Sequence, residues 1–154
     1  MLGVIDVSEY EDLIRQEARR RFENNQRTQI EGMTNIARAK VQHHIGVAGE
    51  VAARVHYNLD PYGVTEDAIG APDFKINGVK FDVKVVKAER RILNVQFYEN
   101  IFEHKRDWTI QVMIYEGFGW RFMVDRIIKF KDLKYVPLSA ASGGHRSQRW
   151  EIEI

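Results

Sequence analysis

An α/β (α+β) fold, with helices first and then a central mixed sheet of about five strands, is predicted by three features of the chain. Two long stretches near the start carry helical patterning. The segments that follow alternate in polarity and are separated by turn-forming residues. Between two of these alternating runs lies Asn77-Gly78. Asn-Gly is the strongest short-range hairpin signal, because a type I′ turn needs positive φ at both central residues.

Ser8 to Asn25 reads as the first helix. Ser8 and Glu11 have capping-box spacing, and Tyr10, Leu13, Ile14, Ala18 and Phe22 make an apolar stripe. The second helix runs from about Thr34 to Tyr57 and stops before the turn Asn58-Leu59-Asp60-Pro61. It is rich in small residues (Gly46, Ala48, Gly49, Ala52, Ala53), which suits tight packing on a sheet; each glycine costs a helix roughly 1 kcal/mol relative to alanine. A loop from Asp60 to Ala71 leads to the hairpin. Ile92 to Tyr98 is a third strand, and Glu99 to Arg106 a short helix. Trp108 to Tyr115 and Trp120 to Ile128 are further strands joined by Glu116-Gly117-Phe118-Gly119. Lys131 to Tyr135 fits neither pattern. Leu138 to Ser147, with Ser-Ala-Ala-Ser-Gly-Gly, reads as a loop, and Trp150 to Ile154 as an edge strand. The expected organisation is one domain over 1–154, with a helical N-terminal arm at about 1–30 and a flexible loop at about 138–148.

Composition narrows the function. With 154 residues, 44% hydrophobic and 29% charged, the chain can bury one core. The absence of cysteine excludes disulfides, thiolate metal sites and thiol nucleophiles. No apolar run is long enough to span a bilayer, and Met-Leu-Gly-Val-Ile-Asp lacks the regions of a signal peptide. A cytoplasmic protein with no membrane partner is expected. The net charge of +1 is low for a polyanion binder, but basic residues cluster locally: Arg19 to Arg21, Lys84 with Lys87, Arg90 and Arg91, and Arg146 with Arg149. Each cluster has a solvated face as its alternative reading. The histidines give no zinc spacing, since His43 and His44 are adjacent and His56 and His104 have no partner at a ligand spacing; His145 sits with Arg146 and Arg149, where it could meet phosphate.

The hairpin carries the chemistry. With Asn77 and Gly78 in the turn, Ile76 pairs with Val79, Lys75 with Lys80 and Phe74 with Phe81, which sets Asp73 opposite Asp82. Lys84 shares the face of Asp82, while Phe74, Ile76, Val79, Phe81, Val83 and Val85 form a core face. Like charges directly opposite each other are destabilising, so the pair needs a reason. A divalent cation supplies one, because hard oxygen ligands suit Mg²⁺. The alternative is a solvated strand face neutralised by Lys75, Lys80 and Lys84.

Pro72-Asp73, eight intervening residues and Asp82-Val83-Lys84 resemble the signature of the PD-(D/E)XK nuclease superfamily, which includes restriction enzymes, junction resolvases and phage or recombination nucleases. The resemblance spans roughly Gly46 to Gln96. It implies a restriction-endonuclease-like core and a Mg²⁺-dependent DNA endonuclease, with Mn²⁺ as a substitute ion. Asp73, Asp82 and the Val83 carbonyl would hold the metal. Glu50 on the second helix would complete the site directly or through water, and Lys84 would hold the attacking water. Gln96 would be an accessory residue, and Lys87, Arg90, Arg91, Arg146 and Arg149 would meet DNA. A salt bridge to Arg54, four residues on, is the alternative role for Glu50. Homing, phage-type or junction-resolving enzymes fit this size, as homodimers or higher homo-oligomers, in a host cytoplasm if phage-encoded. The competing function is a non-catalytic nucleic-acid-binding or assembly protein that keeps the fold.

Overall fold

The computed structural model describes residues 3–28, 36–66, 70–88, 92–96, 104–117, 120–133 and 149–153. The first helix, α1 (Glu11–Thr28), buries Ile14, Ala18 and Phe22 of the predicted stripe. Its start differs from expectation. Ser8–Tyr10 forms a 3-10 turn, and the Asp6 carboxylate accepts the Ser8 N–H at 2.9 Å. Glu11 pairs forward with Arg15 one turn on, so no capping box forms.

Helix α2 (Ile36–His56) ends where Asn58 turns left-handed at φ 57°, a conformation that asparagine tolerates better than most residues. The Leu59 N–H then reaches back to the Arg54 carbonyl at 2.8 Å. Gly49 explains itself: a Cβ there would collide with Val85, so the helix lies against the strand. At Gly46 a Cβ would meet nothing within 4 Å, and packing does not account for that glycine.

The strands are β1 (Val4–Asp6), β2 (Phe74–Ile76), β3 (Val79–Lys87), β4 (Ile92–Gln96), β5 (Thr109–Tyr115), β6 (Arg121–Lys129) and β7 (Arg149–Glu153). The main sheet has five strands in the order β1-β6-β5-β3-β2, with β3 and β5 parallel and the other neighbours antiparallel. Strand β1 was not foreseen; three residues are too few to show a period. The third predicted strand exists as β4, but it pairs with β7 in a separate two-stranded sheet. Lys131 falls in a 3-10 turn, Phe130–Asp132. The loop 138–148 and most of the helix predicted for 99–106 lie outside the described residues.

Two apolar layers hold the sheet. On one face, Val47, Val51 and Ala52 of α2 meet Phe81, Val83, Met113 and Phe122. On the other, Val86, Trp108, Ile110, Val112, Phe130 and Leu133 pack together. Val7, just after β1, and Ile14 and Ala18 of α1 lie in the first core. Gln111 is buried within the sheet with its amide satisfied. Its Nε2 donates to the carbonyls of Val112 and Asp125, both at 2.9 Å, and its Oε1 accepts the Tyr57 hydroxyl. The Asp125 bond falls where the β5–β6 register shifts, between Gln111 and Met113.

Candidate active site

The hairpin forms in the predicted register, Phe74 with Phe81, Lys75 with Lys80 and Ile76 with Val79. Asn77 and Gly78 both have positive φ, 50° and 81°. Asp73 stands just before β2, and its N–H donates to the Phe81 carbonyl at 2.8 Å. Past that point β3 has no ladder partner on this side among the described residues. The Asp73 carboxylate takes that place and accepts the Val83 N–H at 2.6 Å. The turn and the ladder therefore aim one carboxylate at the other, and the two lie within hydrogen-bonding reach.

Their electrostatics diverge. Burial, then the charges of Glu50 and Asp82, push Asp73 well above the ordinary aspartate range, against the Val83 bond. Burial also pushes Asp82 upward, but the ammonium groups of Lys84 and Lys105 outweigh it, and its carboxyl sits below the ordinary value. The Lys84 Nζ is 3.2 Å from Asp82 Oδ2, and the Lys105 Nζ is 3.5 Å from the same atom. Burial disfavours the charge on Lys84, yet Asp82 and Asp73 raise its pKa overall, so it stays protonated. The Asp82 Oδ2 is buried and, despite these ammonium neighbours, has no hydrogen bond of good geometry. The two aspartates are thus driven in opposite directions, Asp73 upward and Asp82 downward, by the charges around them.

Glu50 faces the same cluster, because its charge acts on both Asp73 and Lys84. Arg21 of α1 grips it, with Nη1 and Nη2 at 2.8 and 2.9 Å from its two oxygens. Arg21 also donates to the Val64 carbonyl at 3.0 Å and to Glu17 at 3.2 Å. Arg54 is not the partner of Glu50. It donates to the Asp73 carbonyl at 2.6 Å and to the Asp60 carbonyl at 3.2 Å, its guanidinium fills the space above Gly63, and it lies 5.8 Å from the Phe74 ring. Arg54 thus anchors the first arm of the hairpin to α2.

Glu50 of α2 converges with Asp73, Asp82 and Lys84 of the hairpin. Sequence reasoning missed Lys105, Arg21 and Arg54. Arg21 had a readable signal, since it lies four residues after Glu17, which is buried and also takes Arg20. Lys105 had none, because only the parallel pairing of β3 and β5 brings its turn beside Asp82. Of the expected DNA-contacting residues, the described ones, Lys87 and Arg149, do not adjoin the acidic pair. Lys87 is exposed at the far end of β3, opposite Tyr115. Arg90, Arg91 and Arg146 lie outside the described residues. Gln96 and Arg149 are register partners in the β4–β7 sheet, not in the sheet of the hairpin. His43 packs edge-on to Phe22, with its pKa lowered by burial and then by Arg21, and His44 lies against Trp120.

Among the described residues, no three acids or histidines are grouped to hold a metal as they stand. Glu50 is engaged by Arg21, which leaves the carboxylates of Asp73 and Asp82 on paired arms. That donor set is all hard oxygen, and it includes the buried, unbonded Asp82 Oδ2. A two-carboxylate site of this kind fits Mg²⁺, which keeps several waters and takes one or two carboxylates. Comparisons with protein-family models, curated proteins and solved structures find no match to this chain.

Proposed function

We propose that the chain is a Mg²⁺-dependent endodeoxyribonuclease of the PD-(D/E)XK type, built on a restriction-endonuclease-like core. The observation that carries this reading is the convergence of Asp73, Asp82 and Lys84, where a buried carboxylate oxygen lacks a hydrogen bond between two ammonium groups. Opposed buried carboxylates cost stability even with Lys84 and Lys105 beside one of them, and a hydrolytic metal site gives them a use. Asp73, Asp82 and the Val83 carbonyl would hold the ion, which would supply charge at the phosphoryl oxygens and a more acidic water. Lys84, protonated beside Asp82, orients the attacking water and offsets charge on the phosphate. Glu50, fixed by Arg21, acts through water. Water oxygen bonds to phosphorus as the P–O bond to the leaving oxygen breaks; the water gives up one proton to solvent, and the leaving oxygen takes one up from solvent. A homodimer acting on duplex DNA in the cytoplasm, or in a host cytoplasm, is part of the proposal, because two-fold symmetry matches two-strand cutting.

The ion pairs that already neutralise Asp82 and Glu50 favour a second reading, a nucleic-acid-binding protein without catalysis. One experiment separates the two: cleavage of supercoiled plasmid and of a four-way junction by wild type and Asp82→Ala, in Mg²⁺ and in EDTA. Cutting by wild type in Mg²⁺ only, and loss of at least about 100-fold in the variant, is the expected result. DNA binding without cutting would overturn the nuclease reading in favour of the second.

A further inference from the structure

Charge is matched unevenly among the described residues, where Lys40 and Lys87 are each exposed without an ion pair. Around α1 and on the outer part of β6, cations are matched by acids: Arg15 with Glu11, Arg19 with Glu23, Arg20 with Glu17, Arg121 with Asp6 and Arg126 with Asp125. At one end of the main sheet they are not. Lys75, Lys80, Arg106, Lys129 and Lys131 are exposed there and make no ion pair among the described residues.

The fold brings these residues together. Lys80 precedes Phe81, which pairs with Thr109, and Thr109 pairs with Lys129. The Phe130 N–H donates to the Trp108 carbonyl at 2.9 Å, and the Trp108 N–H donates to the Lys105 carbonyl at 3.0 Å. Trp108 is therefore the hub of this end. The Lys80 Nζ lies 6.0 Å from its ring centre and the Lys105 Nζ 4.8 Å. Lys105 also reaches Asp82, which joins the hub to the acidic pair. Asp107 and Asp132, the acids in these segments, are exposed and form no ion pair with this set.

We infer that this sheet end is the nucleic-acid interface, with Lys80, Arg106, Lys129 and Lys131 tracking the phosphate backbone of a DNA duplex and Lys105 carrying the track to Asp82. The inference rests on the nuclease reading for the identity of the polyanion. It replaces the far end of β3, marked by Lys87, as the contact surface. Cations left unpaired beside two buried carboxylates bind where counterions can be released, and the loss of each phosphate contact lowers the salt dependence of binding.

The test is duplex binding by Asp82→Asn protein in EDTA across a salt series, so that no catalysis is involved. A background carrying Lys80→Gln, Arg106→Gln and Lys131→Gln is compared with one carrying Lys87→Gln alone. The triple change should weaken binding roughly tenfold or more and reduce the log–log salt slope by about two to three, while Lys87→Gln should leave the slope unchanged. These residues are exposed, and thermal melting confirms the fold of each variant; a variant that misfolds is replaced by the three single changes, each expected to lower the slope by about one. A slope unmoved by these changes in protein that still binds would overturn this surface and leave the nuclease reading standing. No duplex binding by the parent would overturn both.

Discussion

Burial and two neighbouring carboxylates oppose the charge of Asp73 and raise its pKa well above the ordinary aspartate range. Its folded pKa is raised, so its contribution to stability is fully present below the ordinary aspartate value of about 3.9 and is lost as pH rises through the raised value. Asp82 runs the other way: its pKa is lowered, and its contribution is present above the ordinary value and lost only as pH falls through the lower one. As pH rises above the ordinary aspartate value, then, Asp73 is the member that costs stability. Asp73→Asn can still accept the Val83 N–H, and it should melt higher than wild type near neutral pH in EDTA, with the gap closing toward pH 4. A wild-type melting temperature flat over that range, or a variant melting lower throughout, would contradict the assignment. Added Mg²⁺ should raise the wild-type melting temperature more than that of the variant, since ligand binding to the native state stabilises it. The opposed aspartates and Lys84 were legible because a two-residue hairpin has a fixed register and strand faces alternate strictly. The neighbours that set their protonation were not, since Lys105 and Arg21 arrive through tertiary packing.

At the scale of elements, helix α2 positions the site through three of its residues. Glu50 faces the acidic cluster, Arg54 holds the Asp73 carbonyl, and Gly49 lets the helix axis approach Val85. The two glycines of this helix should respond oppositely to alanine. At Gly46 a methyl group meets nothing, and Gly46→Ala should stabilise by up to about 1 kcal/mol through helix propensity. At Gly49 the methyl strikes Val85, and Gly49→Ala should destabilise by roughly 1–3 kcal/mol through overpacking. Urea unfolding of both variants checks this; equal changes of the same sign would mean that the helix does not sit against β3 as described. The small-residue run was visible in the sequence as a packing signal, but the sequence does not distinguish which glycine faces the sheet. The salt bridge to Arg54, the alternative role for Glu50, does not form for a related reason. Helical spacing offers an i, i+4 partner, and tertiary structure supplied a better one in the two-pronged contact from Arg21.

At the scale of the molecule, the order of helices, hairpin and later strands was legible from periodicity and turn residues, while the strand order was not. Periodicity reports which residues share a face and says nothing of which strand lies beside which. Neither the parallel pairing of β3 with β5 nor the separate β4–β7 ladder has a local signature. Strand β1, too short to read, closes one side of the main sheet by pairing Val4 with Met123, Ile5 with Phe122 and Asp6 with Arg121. Without residues 1–6 that side of β6 would present unpaired backbone groups, a template for strands from other molecules. The shortened protein should therefore scatter light on gentle warming where the full chain stays clear, and equal clarity would show that β1 protects nothing. The same strand has a place in time as well as in space. β1 is the first strand of the sheet to be synthesised and β6 the last, so the earliest-made segment must wait for the latest before it can pair. During synthesis α1, α2 and the β2–β3 hairpin can form from near neighbours, while β1 remains a tail. The closing of the sheet, and the burial of Val7 beneath it, then become late events that depend on contacts between distant parts of the chain.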